Sequence, residues 1–142
     1  MAFKFSLESV LKVRKHEEKI QKQKLAEELM KKKKIDDVKE EVHIKLKNFL
    51  DNDEFGEAQN IQRIKRHGRH ILQTHELIQK LNGESAEADK LVGKVRENLA
   101  SAHKSRHMLE KLKETEHSGF SRKLQRDEQK TMDEIATQSF SR

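Results

Sequence analysis

At 142 residues the chain has the length of one compact domain, yet 32% of it is apolar and 39% charged, where ordinary domains are roughly one half apolar. With no Trp, Tyr, Pro or Cys, it cannot build a thick central core, a disulfide, a thiolate metal site or a cysteine nucleophile. The net charge of +6 is the difference between 31 basic and 25 acidic side chains, interspersed as on a solvated helix surface and biased toward an acidic partner.

Such a composition leaves disorder or a thin helical object needing only a narrow apolar seam. Long Gly-free stretches rich in Ala, Glu, Lys, Leu, Arg and Gln favour helix. No apolar run approaches the ~20 residues of a membrane span, and no secretory-signal pattern opens the chain, so a cytosolic protein is expected.

In chain order, a first helix is predicted over about residues 6–50, with Ser6 as cap and Glu8 in its first turn. Leu7, Val10, Leu11, Ile20, Leu25, Leu29, Ile35, Val38, Val42, Leu46 and Phe49 supply helically spaced apolar positions. The middle of this pattern is weak, because Lys and Glu occupy expected seam positions. Asp51 to Ala58 (DNDEFGEA) carries turn chemistry. A second helix is predicted over about residues 59–137, its pattern opening at Ile61, Ile64, Ile71 and Ile78. After a one-step phase shift, Leu81, Ser85, Ala88, Val92, Val95, Leu99, Ala102, Arg106 and Leu109 alternate steps of four and three. That heptad seam is the strongest physical signal in the chain.

Asn82-Gly83 is a turn dipeptide inside that seam, and Ser85 could cap a third helix. The apolar phase crosses it without a slip, however, and Gly in a helix costs only about 1 kcal/mol. Two helices are therefore predicted: an all-α fold, a long antiparallel two-helix coiled coil (α-hairpin) forming one domain, the second helix longer and overhanging. A turn near residue 54 would set Leu7 opposite Ala102 and Val10 opposite Leu99. Beyond about Leu112 the second helix then has nothing of its own to pack on. Yet Phe120, Leu124, Ile135 and Phe140 lie there, with Phe3 and Phe5 near its root, and apolar groups on an unpaired overhang point to a partner.

No catalytic set is legible, and neither cofactor nor metal is expected. Glycines are isolated. Glu17 or Glu18 with Gln21 or Lys22, and Glu110 with Lys113 or Glu114, read as solvated helical neighbours. His103 and His107 have the i, i+4 spacing of metal ligands, and His67, His70 and His75 cluster. No carboxylate completes either set, so all read as exposed helical histidines. Lys31 to Lys34 wrap round a helix and make no directed stripe. Arg63, Lys65, Arg66 and Arg69 lie near the turn, without the aromatic platforms of single-strand binders.

The two ends carry the most specific pattern. FKFSLESVLKVRKHEE spaces Phe3, Phe5, Leu7, Val10-Leu11, Arg14 and Glu17-Glu18; QRDEQKTMDEIATQSFSR combines Gln129-Lys130, Met132-Asp133-Glu134 and Ile135-Ala136. Together they resemble the FliJ family, the small coiled-coil component of the bacterial flagellar type III export apparatus and a relative of type III secretion stalk proteins. The resemblance implies a non-enzymatic antiparallel coiled coil, similar to the central stalk of rotary ATP synthases. Its terminal end would enter the hexameric export ATPase, and the stalk would engage the cytoplasmic domain of the export gate, with export chaperones as further partners.

Carried onto this chain, the ATPase-binding residues would be Phe3, Phe5, Leu7, Val10, Leu11, Arg14, Arg126, Lys130, Met132, Asp133, Glu134 and Ile135. The export-gate-binding residues would be Val42, Leu46, Phe49, Ile64, Ile71 and His75. Where some family members use aromatic residues toward the turn, this chain has neither Tyr nor Trp. The implied protein is a monomer when free, without nucleic acid or membrane insertion, peripheral at the inner face of the cell membrane beneath the flagellar basal body. The alternatives are a basic helical nucleic-acid-binding protein and a structural homodimeric coiled coil. Modest stability is expected, with fraying near Lys31 to Lys34 and at both ends.

Overall fold

The computed structural model describes residues 2–51 and 61–141. It contains two helices packed against each other, α1 (Glu8–Asp51) and the longer α2 (Ile61–Phe140). Asn82 and Gly83 lie within α2 without interrupting it. Apart from Asp51, which ends α1, the predicted turn lies outside the described residues.

α1 begins two residues after the predicted cap. Its first i→i−4 bond runs from the Leu11 N–H to the Leu7 carbonyl at 2.9 Å, and the Glu8 N–H donates to the Phe5 carbonyl at 3.2 Å. The backbone turn at Ser6 and Leu7 thus satisfies the helix entry, and Ser6 makes no side-chain hydrogen bond among the described residues.

The chain forms two compact units. In unit 2 (residues 22–98), α2 contributes the buried side chains Ile78, Leu81, Ser85, Ala88 and Val92. Leu81, Ser85, Ala88 and Val92 belong to the predicted heptad seam, and Ile78 to the pattern that precedes it. From α1, Leu25, Glu28, Lys32, Ile35, Lys39, Val42, Leu46 and Phe49 are half-buried. Their steps of three and four keep α1 in phase with a 3.5-residue repeat, as coiled-coil packing demands. The expected seam residues Leu29 and Val38 fall off that repeat and are exposed.

In unit 1 (residues 1–21 and 99–142), Phe5, Leu11 and Glu18 are buried, and Leu99, Ala102, Arg106, Leu109 and Phe120 of α2 are half-buried. Its antiparallel register differs from the one expected. Glu8 lies across from Lys113 at 2.8 Å, and Phe3 packs on Phe120 with ring centroids 5.6 Å apart. Leu7 therefore does not face Ala102. Folding the chain symmetrically about its turn ignores which side chains must meet. The observed register brings Glu18 to Arg106 in unit 1, and Asp36 to Ser85 and Lys32 to Asp89 in unit 2. Glu18, Arg106, Ser85 and Lys32 on the seams thereby gain polar complements. The paired part of α2 accordingly runs past Leu112 to Phe120, and residues 122–140 are exposed throughout.

Candidate partner-binding surfaces

The terminal surface is built on unit 1. Phe3 meets His117 edge-on, with centroids 5.0 Å apart and planes at 86°, besides its contact with Phe120. Phe5 is buried and Leu11 is 1% exposed. Phe3 thereby ties the residues before α1 to α2, and the expected partner contacts Phe5 and Leu11 are covered within unit 1. Leu7, Val10 and Arg14 remain exposed, Arg14 holding Glu17 at 3.0 Å. Of the expected residues on α2, Arg126, Lys130, Met132, Asp133, Glu134 and Ile135 are all exposed, with Met132 at 68% and Ile135 at 59%. Phe140, absent from the expected set, is 96% exposed. Gln129 donates to Asp133 at 3.0 Å, a bond within the helix surface.

The expected gate contacts fall in two groups. Val42, Leu46, Phe49 and Ile71 are half-buried at seam positions of unit 2, whereas Ile64 and His75 are exposed. The Phe49 ring stacks on His67 at 4.3 Å and 26° and meets the His70 edge at 4.5 Å and 65°.

A charged cluster inside unit 1 was not legible as such. Glu18, read from sequence as a solvated neighbour of Gln21 or Lys22, is 4% exposed. One carboxylate oxygen accepts from the Arg106 Nε–H and the other lies 3.1 Å from His103 Nδ1. Arg106 also donates to Glu110, which faces Lys15 at 3.8 Å. Glu110 is thus tied to the opposite helix as well as to its own. The Arg106 guanidinium is held even more firmly protonated than usual, first by its bond to Glu110 and then by that to Glu18. The signal in the sequence was Arg106 on the heptad seam, which requires an acid opposite it.

Further pairs bind the helices in each unit. Ser85, a possible cap from sequence, instead donates to Asp36 at 2.8 Å. Lys32 bonds Asp89, and that hydrogen bond, reinforced by the negative charge, raises the Lys32 pKa above its ordinary 10.5. The Glu8 pKa lies below its ordinary 4.5, chiefly through its hydrogen bond from Lys113.

Chemically, these surfaces offer exposed apolar and charged side chains beside a packed helix pair. His103 and His107 stack at 6.1 Å. Among the described residues, no group of three or more His, Cys, Asp or Glu could hold a metal ion. No helix there is long and apolar enough to cross a membrane.

The family model described as flagellar FliJ protein matches residues 3–142. Comparison with curated proteins found no match. Comparison with solved structures also found none.

Proposed function

Since the chain belongs to the FliJ family, components of the flagellar export apparatus, we propose that it is the stalk and coupling factor of that apparatus. The terminal surface of unit 1 binds the hexameric export ATPase. Leu7, Val10 and Arg14 make contact from the α1 side, and Arg126, Lys130, Met132, Asp133, Glu134 and Ile135 from α2. Phe3, Phe5 and Leu11 support that surface from beneath.

The observation that carries this reading is the end of α2. Residues 122–140 are helical and exposed throughout, yet include Leu124, Met132, Ile135 and Phe140. Apolar side chains on an uncovered helix are what a partner groove buries. The export-gate surface is assigned to unit 2, with Ile64 and His75 as accessible contacts and Val42, Leu46, Phe49 and Ile71 shaping them. Export chaperones are further partners. The protein acts without catalysing a reaction, free as a monomer, at the cytoplasmic face of the membrane, and with no nucleic acid.

Truncation after Leu124 tests the terminal assignment. The shortened chain is expected to keep its helical circular dichroism per residue and to lose binding to the cognate ATPase in a pulldown. Undiminished binding would place the ATPase contact elsewhere.

A further inference from the structure

We propose that the start of α2 forms a carboxylate-recognition site for an Asp/Glu-rich peptide segment of a partner protein. The site lies in unit 2 and goes beyond the stalk reading, which gives Arg63 and Arg66 no role. Residues 61–70 hold Arg63, Lys65, Arg66, His67, Arg69 and His70 and contain no acidic residue. Arg63, Arg66, His67 and His70 line, together with Phe49, an open cavity of about 260 Å³.

Several cations elsewhere in the protein meet acids: Lys15 faces Glu110, Lys32 Asp89, Lys45 Glu41 and Lys113 Glu8. Arg63 and Arg66, by contrast, hold neither an ion pair nor a side-chain hydrogen bond among the described residues. Two exposed guanidinium forks over an aromatic floor suit bidentate recognition of planar carboxylates.

Size and stacking choose the occupant. The cavity is smaller than the roughly 300–1,000 Å³ of small-molecule pockets, so it takes one or two side chains of a peptide. Nucleic acid would bring phosphates but needs free aromatic faces for its bases, and Phe49 is covered by His67 and His70. An anionic membrane would bury the exposed apolar face of the helix, and a cavity on the opposite face would then point away from it. Ile61, Ile64 and Leu72 are exposed, and their steps of three and eight put them on a different face of α2 from Arg63, Arg66 and His70.

The test uses the full chain and a fluorescein-labelled Asp/Glu-rich peptide, read by anisotropy, with backbone amide shifts to locate the contact. The acidic peptide is expected to bind and its Asn/Gln counterpart not to. Arg63→Gln/Arg66→Gln should weaken binding roughly tenfold or more, the loss of at least one charge-assisted bond. Lys94→Gln/Lys104→Gln, which removes the same charge elsewhere, should leave it within about twofold on that scale. Arg63→Lys/Arg66→Lys keeps the charge and discards the forks, and should fall between. Shifts should concentrate at residues 63–70 and Phe49. Equal losses in the two Gln double variants would reduce the effect to net charge and overturn the site. So would absence of binding by the acidic peptide, or tighter binding of a single-stranded oligonucleotide or of phosphatidylserine vesicles.

Discussion

Units 1 and 2 meet the same shortage of apolar residues in different ways. In unit 2 one helix supplies nearly all of the deep burial: Ile78, Leu81, Ala88 and Val92 sit on α2, while α1 answers with half-buried aliphatics and the stems of Lys32 and Lys39. Unit 1 instead concentrates its burial at a few points, Phe5, Leu11 and the Glu18 carboxylate. A thin seam can thus be spread along one regular stripe or pinned at a few sites, and pinned sites are the more sensitive to substitution. Leu11→Ala is therefore expected to cost about 3 kcal/mol and Ile78→Ala about 2 kcal/mol in urea unfolding followed by circular dichroism, both within the range for buried truncations. The order follows from exposure, 1% against 6%. A larger loss at Ile78 would reverse the comparison.

The second expected effect belongs to the charged pin. Glu18→Leu leaves the Arg106 side chain, 20% exposed, without its acid across the helix pair, and breaking one side of a buried pair costs more than the pair contributes. The single variant should show a clear drop in melting temperature. Glu18→Leu/Arg106→Leu should regain at least half of it, since a matched apolar pair no longer strands a charge. Additive losses in the double variant would mean that the two side chains act independently.

The same contrast explains what the sequence revealed. The heptad from Leu81 to Leu109 is written, but for Arg106, in apolar and small residues, so α2, its continuity through Asn82-Gly83 and the two-helix architecture were legible. α1 was legible only as a helix. Its seam passes through Glu18, Gln21, Glu28, Lys32 and Lys39, which no search for apolar residues selects, whereas Leu29 and Val38 look like seam and are not. The regular spacing of the partner decides the phase, and that information lies in another part of the chain. Register was missed for the same reason. Turn position suggested one alignment, while matching acids to bases across the pair, Glu8 to Lys113 or Lys32 to Asp89, selects the observed one. Of the expected terminal contacts, sequence could not separate Phe3, Phe5 and Leu11, which pack within unit 1, from Leu7, Val10 and Arg14, which stay accessible. Both sets share one short apolar pattern.

A smaller effect separates backbone propensity from packing. A methyl group added at Gly83 or Gly93 in unit 2, or at Gly119 in unit 1, meets nothing within 4 Å. With helical backbone and open space, each Gly→Ala should stabilise by about 0.8 kcal/mol through chain entropy alone. Agreement between Gly83→Ala and Gly119→Ala would show that the two units differ in their seams and not in their helices. A destabilising Gly119→Ala would reveal a contact on that face of unit 1.

The smallest effect is electrostatic and has opposite signs in the two units. In unit 1, Glu8 has a lowered folded pKa because Lys113 hydrogen-bonds its carboxylate. Its contribution is present above the unfolded value of 4.5 and is lost as pH falls through the lowered folded value. In unit 2, Lys32 has a raised folded pKa because of Asp89. Its contribution is present below the unfolded value of 10.5 and disappears as pH rises through the raised folded value. Lys113→Gln should therefore flatten the acid limb of melting temperature against pH and leave the alkaline limb unchanged, and Asp89→Asn should do the reverse. Both differences should shrink in about 1 M salt, where screening acts within some 3 Å. If either variant altered both limbs equally, its pair would not be the source of the pH dependence, and net charge would account for the slope instead.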